Sequence, residues 1–276
     1  MLRLLYVTYK LNTMTKNIKE AVKQTYTAAV KNGSGCGCGP SCCAPEQSTS
    51  FLNEDYENVE GYQEIADYGL GCGLPTEIAD IKNGDSVLDL GSGAGNDVFI
   101  ARNQVGETGK VTGVDFTEAM VEKANENKSK LGFQNVEFIL GDIEELPVAS
   151  HTFNVVISNC VMNLVPDKNK AYQEVFRVLK SGGHFSISDV VLNADLPKGI
   201  LDAAEMYAGC VSGALEKTEY LTVIENAGFQ NLEIRKEHEI NLPDSLLLQF
   251  ISNNELAEYR KKKSAIISIT INAKKP

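Results

Sequence analysis

Two groups of residues in this chain have types and spacings suited to chemistry. The first is Val87-Leu88-Asp89-Leu90-Gly91-Ser92-Gly93-Ala94-Gly95-Asn96-Asp97, where an apolar strand enters a loop with glycine at every second position and a helix leaves it. Such a turn lets bare backbone approach a nucleotide-like cofactor closely. The second is a set of seven cysteines, at positions 36, 38, 42, 43, 72, 160 and 210. No secretory core is read in the chain, so a disulfide framework is not expected, and ligation, redox chemistry or plain burial remain for the thiols.

The dinucleotide fingerprint wants glycine at the first, third and sixth loop positions, but here the sixth is Asn96 and Gly95 holds the fifth. Asp89-x-Gly91-x-Gly93-x-Gly95 instead resembles the loop of S-adenosylmethionine methyltransferases. That cofactor has no pyrophosphate to seat on a helix terminus and presents an amino-acid tail and a sulfonium. Lys110-Val111-Thr112-Gly113-Val114-Asp115 reads as the next strand, ending in an acid about 20 residues past the last glycine, where a carboxylate can accept both ribose hydroxyls. After a third strand, Val136–Leu140, Gly141-Asp142-Ile143 sets Asp142 toward an adenine amino group and Ile143 against the ring. The expected cofactor-binding set is Asp89, Gly91, Ser92, Gly93, Gly95, Asn96, Asp115, Phe116, Met120, Asp142, Ile143 and Asn159.

Cys160 follows the fourth strand, beside the methyl-donor position of such a fold, and Cys210 lies in the segment after the fifth strand that covers the substrate. Each cysteine alone reads most simply as a small buried hydrophobe, yet their joint placement points to ligation. Thiolates prefer soft centres, and trivalent arsenic is one whose lone pair is already a nucleophile. His151, His184 and His238 show no Asp-paired arrangement in the substrate segments, as a base-dependent oxygen methylation would want. Asn159, Glu145 and Glu205 are polar residues near the expected site with helix-surface or turn roles as an equal reading.

The chain resembles the arsenite S-adenosylmethionine methyltransferase family. The resemblance rests on Gly71-Cys72-Gly73-Leu74-Pro75, the Asp89–Gly95 loop, Ile143-Glu144-Glu145-Leu146-Pro147-Val148, Ser158-Asn159-Cys160-Val161 and Gly209-Cys210-Val211, and spans nearly everything from Cys42 onward. It implies that Cys160 and Cys210 bind As(III), and a third thiolate is expected from Cys72 or from a small thiol. It also implies that Cys72 and an N-terminal cysteine, Cys43 or Cys42 with Cys43 preferred, form a relay disulfide that restores As(III) and is then reduced by thioredoxin or glutathione. Cys36 and Cys38 depart from the family's four-cysteine core, and Cys36-x-Cys38-x3-Cys42-Cys43 is a poor zinc spacing. A methyltransferase of a small quinone- or sterol-like molecule, which would need an apolar pocket and no thiols, and a non-catalytic arsenic-sequestering protein are the rival readings.

The elements that must position these groups alternate strand and helix: 86–90, 97–103, 110–115, 117–131, 136–140, 153–158, 168–179 and 184–190. The expectation is a class I methyltransferase-like α/β fold, a doubly wound, mostly parallel seven-stranded sheet with an N-terminal Cys-rich helical extension. Residues 1–70 form that extension, 71–195 the cofactor-binding Rossmann-like core, and 196–276 the substrate-covering segment and closing edge strands. A helix is expected over 16–31, helical stretches over 61–68 and 75–81, and a flexible glycine loop over 69–74 able to close over a site. Ser181-Gly182-Gly183 reads as the turn before the fifth strand, 219–226 as a helix, and 232–237 with 265–271 as an antiparallel edge hairpin.

With 276 residues and 43% hydrophobic content, the chain can bury a full core. A formal charge of -11 disfavours nucleic acid or an anionic membrane as partner, since Arg260-Lys261-Lys262-Lys263 is the one basic run and reads as a solvated helix end. No apolar run reaches the roughly 20 residues needed to cross a bilayer. The reading is a cytoplasmic enzyme acting on arsenite or its thiol conjugates, with the first 13 residues an alternative start or leader ahead of Met14.

Overall fold

A computed structural model describes residues 19–31, 56–202, 211, 213–261 and 265–276. Cys36, Cys38, Cys42, Cys43, Glu205 and Cys210 lie outside the described residues. Seven strands, β1 (Ser86–Leu90), β2 (Lys110–Asp115), β3 (Val136–Leu140), β4 (Phe153–Asn159), β5 (Leu179–Leu192), β6 (Gln230–Glu239) and β7 (Ile266–Lys274), form one sheet in the order β3-β2-β1-β4-β5-β7-β6. The ladders from β3 to β5 are parallel, and β7 runs antiparallel to both β5 and β6. The helices are α1 (19–31), the single turn α2 (Pro75–Ile78), α3 (Asn96–Val105), α4 (Glu118–Leu131), α5 (Lys168–Val178), α6 (Lys198–Leu201), α7 (Lys217–Asn226), α8 (Asp244–Leu247) and α9 (Asn253–Lys261).

Successive residues of a strand face opposite sides of a sheet, and this sheet is covered on both. Val87, Val111, Val155 and Ile157 pack with Val98, Phe99 and Val105 of α3 and Ala124 of α4. Leu88, Leu90, Val114, Val156 and Ile187 pack on the other face with Tyr172 and Val175 of α5 and Tyr220 and Ile224 of α7. The parallel strand ends, with the loops that follow them, therefore converge on one edge of the sheet.

Three expectations change in detail. The turn at Ser181–Gly183 is an irregularity within β5: Phe153 pairs with Leu179 and Val155 with His184, while the Gly182 N–H donates to the Lys275 carbonyl at 2.9 Å. Bonding to the C-terminal end of the chain keeps the segment in the ladder. The stretch 61–68 contains only a 3-10 turn, Glu64–Ala66, and the helix expected over 75–81 shortens to α2.

Candidate active site

The glycine loop is tied to β2 as it leaves β1: the Gly91 and Ser92 N–H groups both donate to the Val114 carbonyl, at 2.7 and 3.1 Å. Gly91 has φ 66, and a Cβ there would sit 2.5 Å from Val161 Cγ2, so the backbone conformation and the space both demand glycine. The Asp115 carboxylate then ties two segments together, accepting from the Gly93 N–H at 3.0 Å and from the Thr117 N–H at 2.8 Å.

Above this loop is a cavity. Of the expected cofactor set, Asp89, Gly91, Ser92, Gly93, Asn96, Asp115, Phe116, Met120, Asp142, Ile143 and Asn159 line it. Gly95 does not: it is the N-cap of α3 at φ 102, where a Cβ would meet Phe138 Cζ at 2.8 Å, so it serves the turn.

The acids give the cavity its electrostatic character. Burial, with repulsion from Asp97 and Asp115, pushes the Asp89 carboxyl well above the usual range. Burial raises Asp97 to about 6, against hydrogen bonds from Asn159 and Tyr56 that lower it, and burial raises Asp115 as well. Crowding anions out of water is unfavourable, and a cationic ligand relieves it. A ligand with a sulfonium, an ammonium, ribose hydroxyls and a flat base fits these acids and the apolar walls of Phe116, Met120 and Ile143.

Helix α1 closes one side, a contribution not foreseen. Lys19 and Tyr26 line the cavity, and Lys19 Nζ donates to Asp142 Oδ2 at 2.6 Å and to Glu144. Lys23 pairs with Glu118 of α4 at 2.6 Å. The Asp142 side chain assigned to adenine is therefore also an anchor for α1. The 123 positions separating Lys19 from Asp142 hide this pairing in the sequence.

The thiol corner adjoins the cavity. Cys160, on the wall, is 2% exposed, and Cys72 behind it is fully buried. Their sulfurs and a carboxylate oxygen of Asp189 all lie within 4.8 Å of one another. Cys160 has φ 60, and its N–H donates to the Ser188 carbonyl at 2.8 Å. A non-glycine residue in this left-handed region costs about 1–2 kcal/mol and persists only where its surroundings hold it.

The loop expected to be flexible over 69–74 is instead clamped where it carries Cys72. Asn159 accepts from the Cys72 N–H at 3.0 Å and donates to the Gly73 carbonyl at 2.8 Å, to Asp97 Oδ2 at 3.1 Å and to Tyr56. Tyr56 also donates to the Gly73 carbonyl at 2.9 Å, and Ser268 of β7 to the Cys72 carbonyl at 2.6 Å. Glu145 is joined to Asp142 through backbone, its N–H donating to the Asp142 carbonyl at 3.0 Å.

Asp189 escaped the reading of the sequence, although a charge in the run Ser186-Ile187-Ser188-Asp189-Val190-Val191-Leu192 is itself a signal. It is fully buried in β5, accepting from the Val190 N–H at 3.0 Å and from the Tyr220 hydroxyl at 3.1 Å. Tyr172 donates to Tyr220 at 2.8 Å, completing a buried chain. Burial raises the Asp189 carboxyl to about 7.

Residues 81–228 match the family described as "Methyltransferase domain". The chain is 39% identical to an arsenite methyltransferase of Halobacterium salinarum, over 94% of this chain and 66% of that protein. It is 32% identical to one of Aquipseudomonas alcaligenes, over 83% of this chain and 67% of the relative. The crystal structure of CrArsM, an arsenic (III) S-adenosylmethionine methyltransferase from Chlamydomonas reinhardtii, aligns with TM-score 0.63 and 35% identity, covering 74% of this chain and 67% of that one. The chain thus spans about two thirds of the length of these relatives. Among the described residues no helix is long and apolar enough to cross a membrane.

Proposed function

Since the chain belongs to the arsenite methyltransferase family of S-adenosylmethionine-dependent enzymes, we propose that it methylates trivalent arsenic held by cysteine thiolates. One observation carries this reading: two buried thiols lie together, Cys160 on the wall of a cavity suited to the methyl donor and Cys72 behind it. Paired sulfurs select a soft centre over oxygen or carbon nucleophiles, which have no use for them.

S-adenosylmethionine supplies an electrophilic methyl on a positively charged leaving group. Asp115 would hold the ribose hydroxyls, Asp142 and Ile143 the adenine, and the buried acids Asp89 and Asp97 would balance the cationic end. Cys160 on the cavity wall, with Cys72 and with Cys210 from outside the described residues, would fix the arsenic with its lone pair toward the methyl. The lone pair is already nucleophilic, so no side chain need remove a proton to create it. Orientation is the protein's main contribution, worth about 7–11 kcal/mol where alignment is good.

Methyl transfer oxidises As(III) formally by two electrons. Oxidation of two thiols, Cys72 with Cys43 or Cys42, to a disulfide returns them, and thioredoxin or glutathione then reduces the disulfide.

The test is purified chain with labelled S-adenosylmethionine, glutathione and arsenite, with methylated arsenicals separated and detected by element. Product that vanishes in Cys160→Ser and Cys210→Ser, while calorimetric cofactor binding survives, is expected. Arsenic bound without methylation would turn the reading to sequestration; product unchanged in Cys160→Ser would overturn the ligand assignment.

A further inference from the structure

We propose that Cys72 Sγ, Cys160 Sγ and an Asp189 carboxylate oxygen form a three-donor site for a borderline divalent cation of the Zn2+ class. The site shares its sulfurs with the methyl acceptor, so metal and acceptor exclude each other. The three donor atoms lie within 4.8 Å of one another. Tetrahedral Zn2+, with bonds of about 2.3 Å to sulfur and 2.0–2.2 Å to oxygen, wants its donors roughly 3.5–3.8 Å apart, a distance that small side-chain rotations reach from here.

The donors come from three separately anchored segments. The Cys72 backbone is held on both sides, its N–H by Asn159 and its carbonyl by Ser268. Cys160 is fixed in a left-handed conformation by its bond to the Ser188 carbonyl. Asp189 is oriented by the Val190 N–H and the Tyr220 hydroxyl, and Tyr220 by Tyr172, which is the outer-shell support that metal-binding carboxylates carry. Of the three, Cys160 lines the cavity, which gives an ion a route to the donors.

Charge explains why a cation suits this corner. Burial of two thiols and a carboxyl disfavours their ionised forms, and a divalent cation that displaces their protons offsets most of the charge so created. Two sulfurs discriminate against Mg2+ and Ca2+, and the single oxygen separates the site from a purely thiolate trap. The metal site stands on the donors alone; only the exclusion of arsenite rests on the reading proposed above.

The experiment is a titration of the full-length, reduced chain with Co2+, followed by displacement with Zn2+ and with no arsenite present. Sulfur-to-cobalt charge-transfer bands are expected, reduced in Cys72→Ser and in Cys160→Ser. Asp189→Asn should weaken Zn2+ by more than the roughly 10- to 100-fold that loss of an outer-shell partner costs. Tyr220→Phe, which keeps every donor but removes the support of Asp189, should weaken it by about 10-fold, and it carries the test where Asp189→Asn does not fold. S-adenosylmethionine binding by each variant reports folding. Spectra and affinities unaltered by Asp189→Asn, Tyr220→Phe and Cys160→Ser would assign the metal to the other cysteines and overturn the site, as would an absence of binding. In a separate assay, Zn2+ should raise the apparent KM for arsenite without changing cofactor affinity, and loss of that pattern alone would overturn the exclusion while leaving the metal site standing.

Discussion

Asn159 shows how one side chain can assemble a site. Its amide accepts from the Cys72 N–H and donates to the Gly73 carbonyl and to Asp97, joining the thiol loop to the end of β4 and to the start of α3. Asn159→Ala leaves buried partners unsatisfied, which costs about 1–3 kcal/mol. Thermal unfolding should shift down by several degrees. Asn159→Asp should shift further, because a carboxylate keeps an acceptor for Cys72 but loses the donors and repels Asp97. Sequence motifs reveal Asp115 and Asp142, which follow their strands at a set spacing. They do not reveal the work of Asn159, whose partners lie 62 to 103 positions away.

The elements separate into those that local pattern dictates and those that need a partner. The alternating strands and amphipathic helices of the core match the periodicity within a few residues at each end. Strand β7 is different. Its Ile-Ser-Ile-Thr-Ile alternation reads as a closing strand, and in the structure its polar positions are inside as well: Ser268 and Thr270 are both 2% exposed and face polar partners in the interior. Ser186 and Ser268 bond the Pro75 and Cys72 carbonyls, and Asn272 bonds the Ile78 carbonyl, so polar rungs of β5 and β7 seat the segment from Cys72 to α2. Helix α1 likewise depends on a distant anchor. Lys19→Ala removes its bonds to Asp142 and Glu144, a partly exposed pairing worth about 1 kcal/mol or less. Hydrogen exchange over 19–31 should accelerate, and S-adenosylmethionine should dissociate roughly fivefold faster in stopped flow, the factor that such an energy gives.

Across the whole molecule the buried acids couple stability, ligand binding and pH. Asp97 titrates near 3.8 when unfolded and about 6 when folded. Between those values the folded chain holds more protons, so the contribution of Asp97 to stability is fully present below the lower value and lost as pH rises through the upper one. Asp189 extends the same trend to about 7. A cationic cofactor recruits the ionised cavity acids, so its binding strengthens over the range where the ligand-free chain weakens. Thermal midpoints measured from about pH 4.5 to 7.5, with and without S-adenosylmethionine, should diverge as pH rises. A constant gap would show that Asp89 and Asp97 do not face the cation.

Glycine spacing, strand-helix alternation and acids at strand ends are local properties, enforced by backbone sterics and by periods of 2 and 3.6 residues, and they made the fold and most residues that line the cavity readable from the order of the residues. The juxtaposition of Cys72, Cys160 and Asp189 is of another kind. It depends on polar rungs, an asparagine clamp and a left-handed cysteine, in which groups dozens to nearly two hundred positions apart satisfy one another's buried hydrogen bonds. No short-range pattern records such partners, because the free energy that selects them exists only once the sheet has closed and water has been excluded.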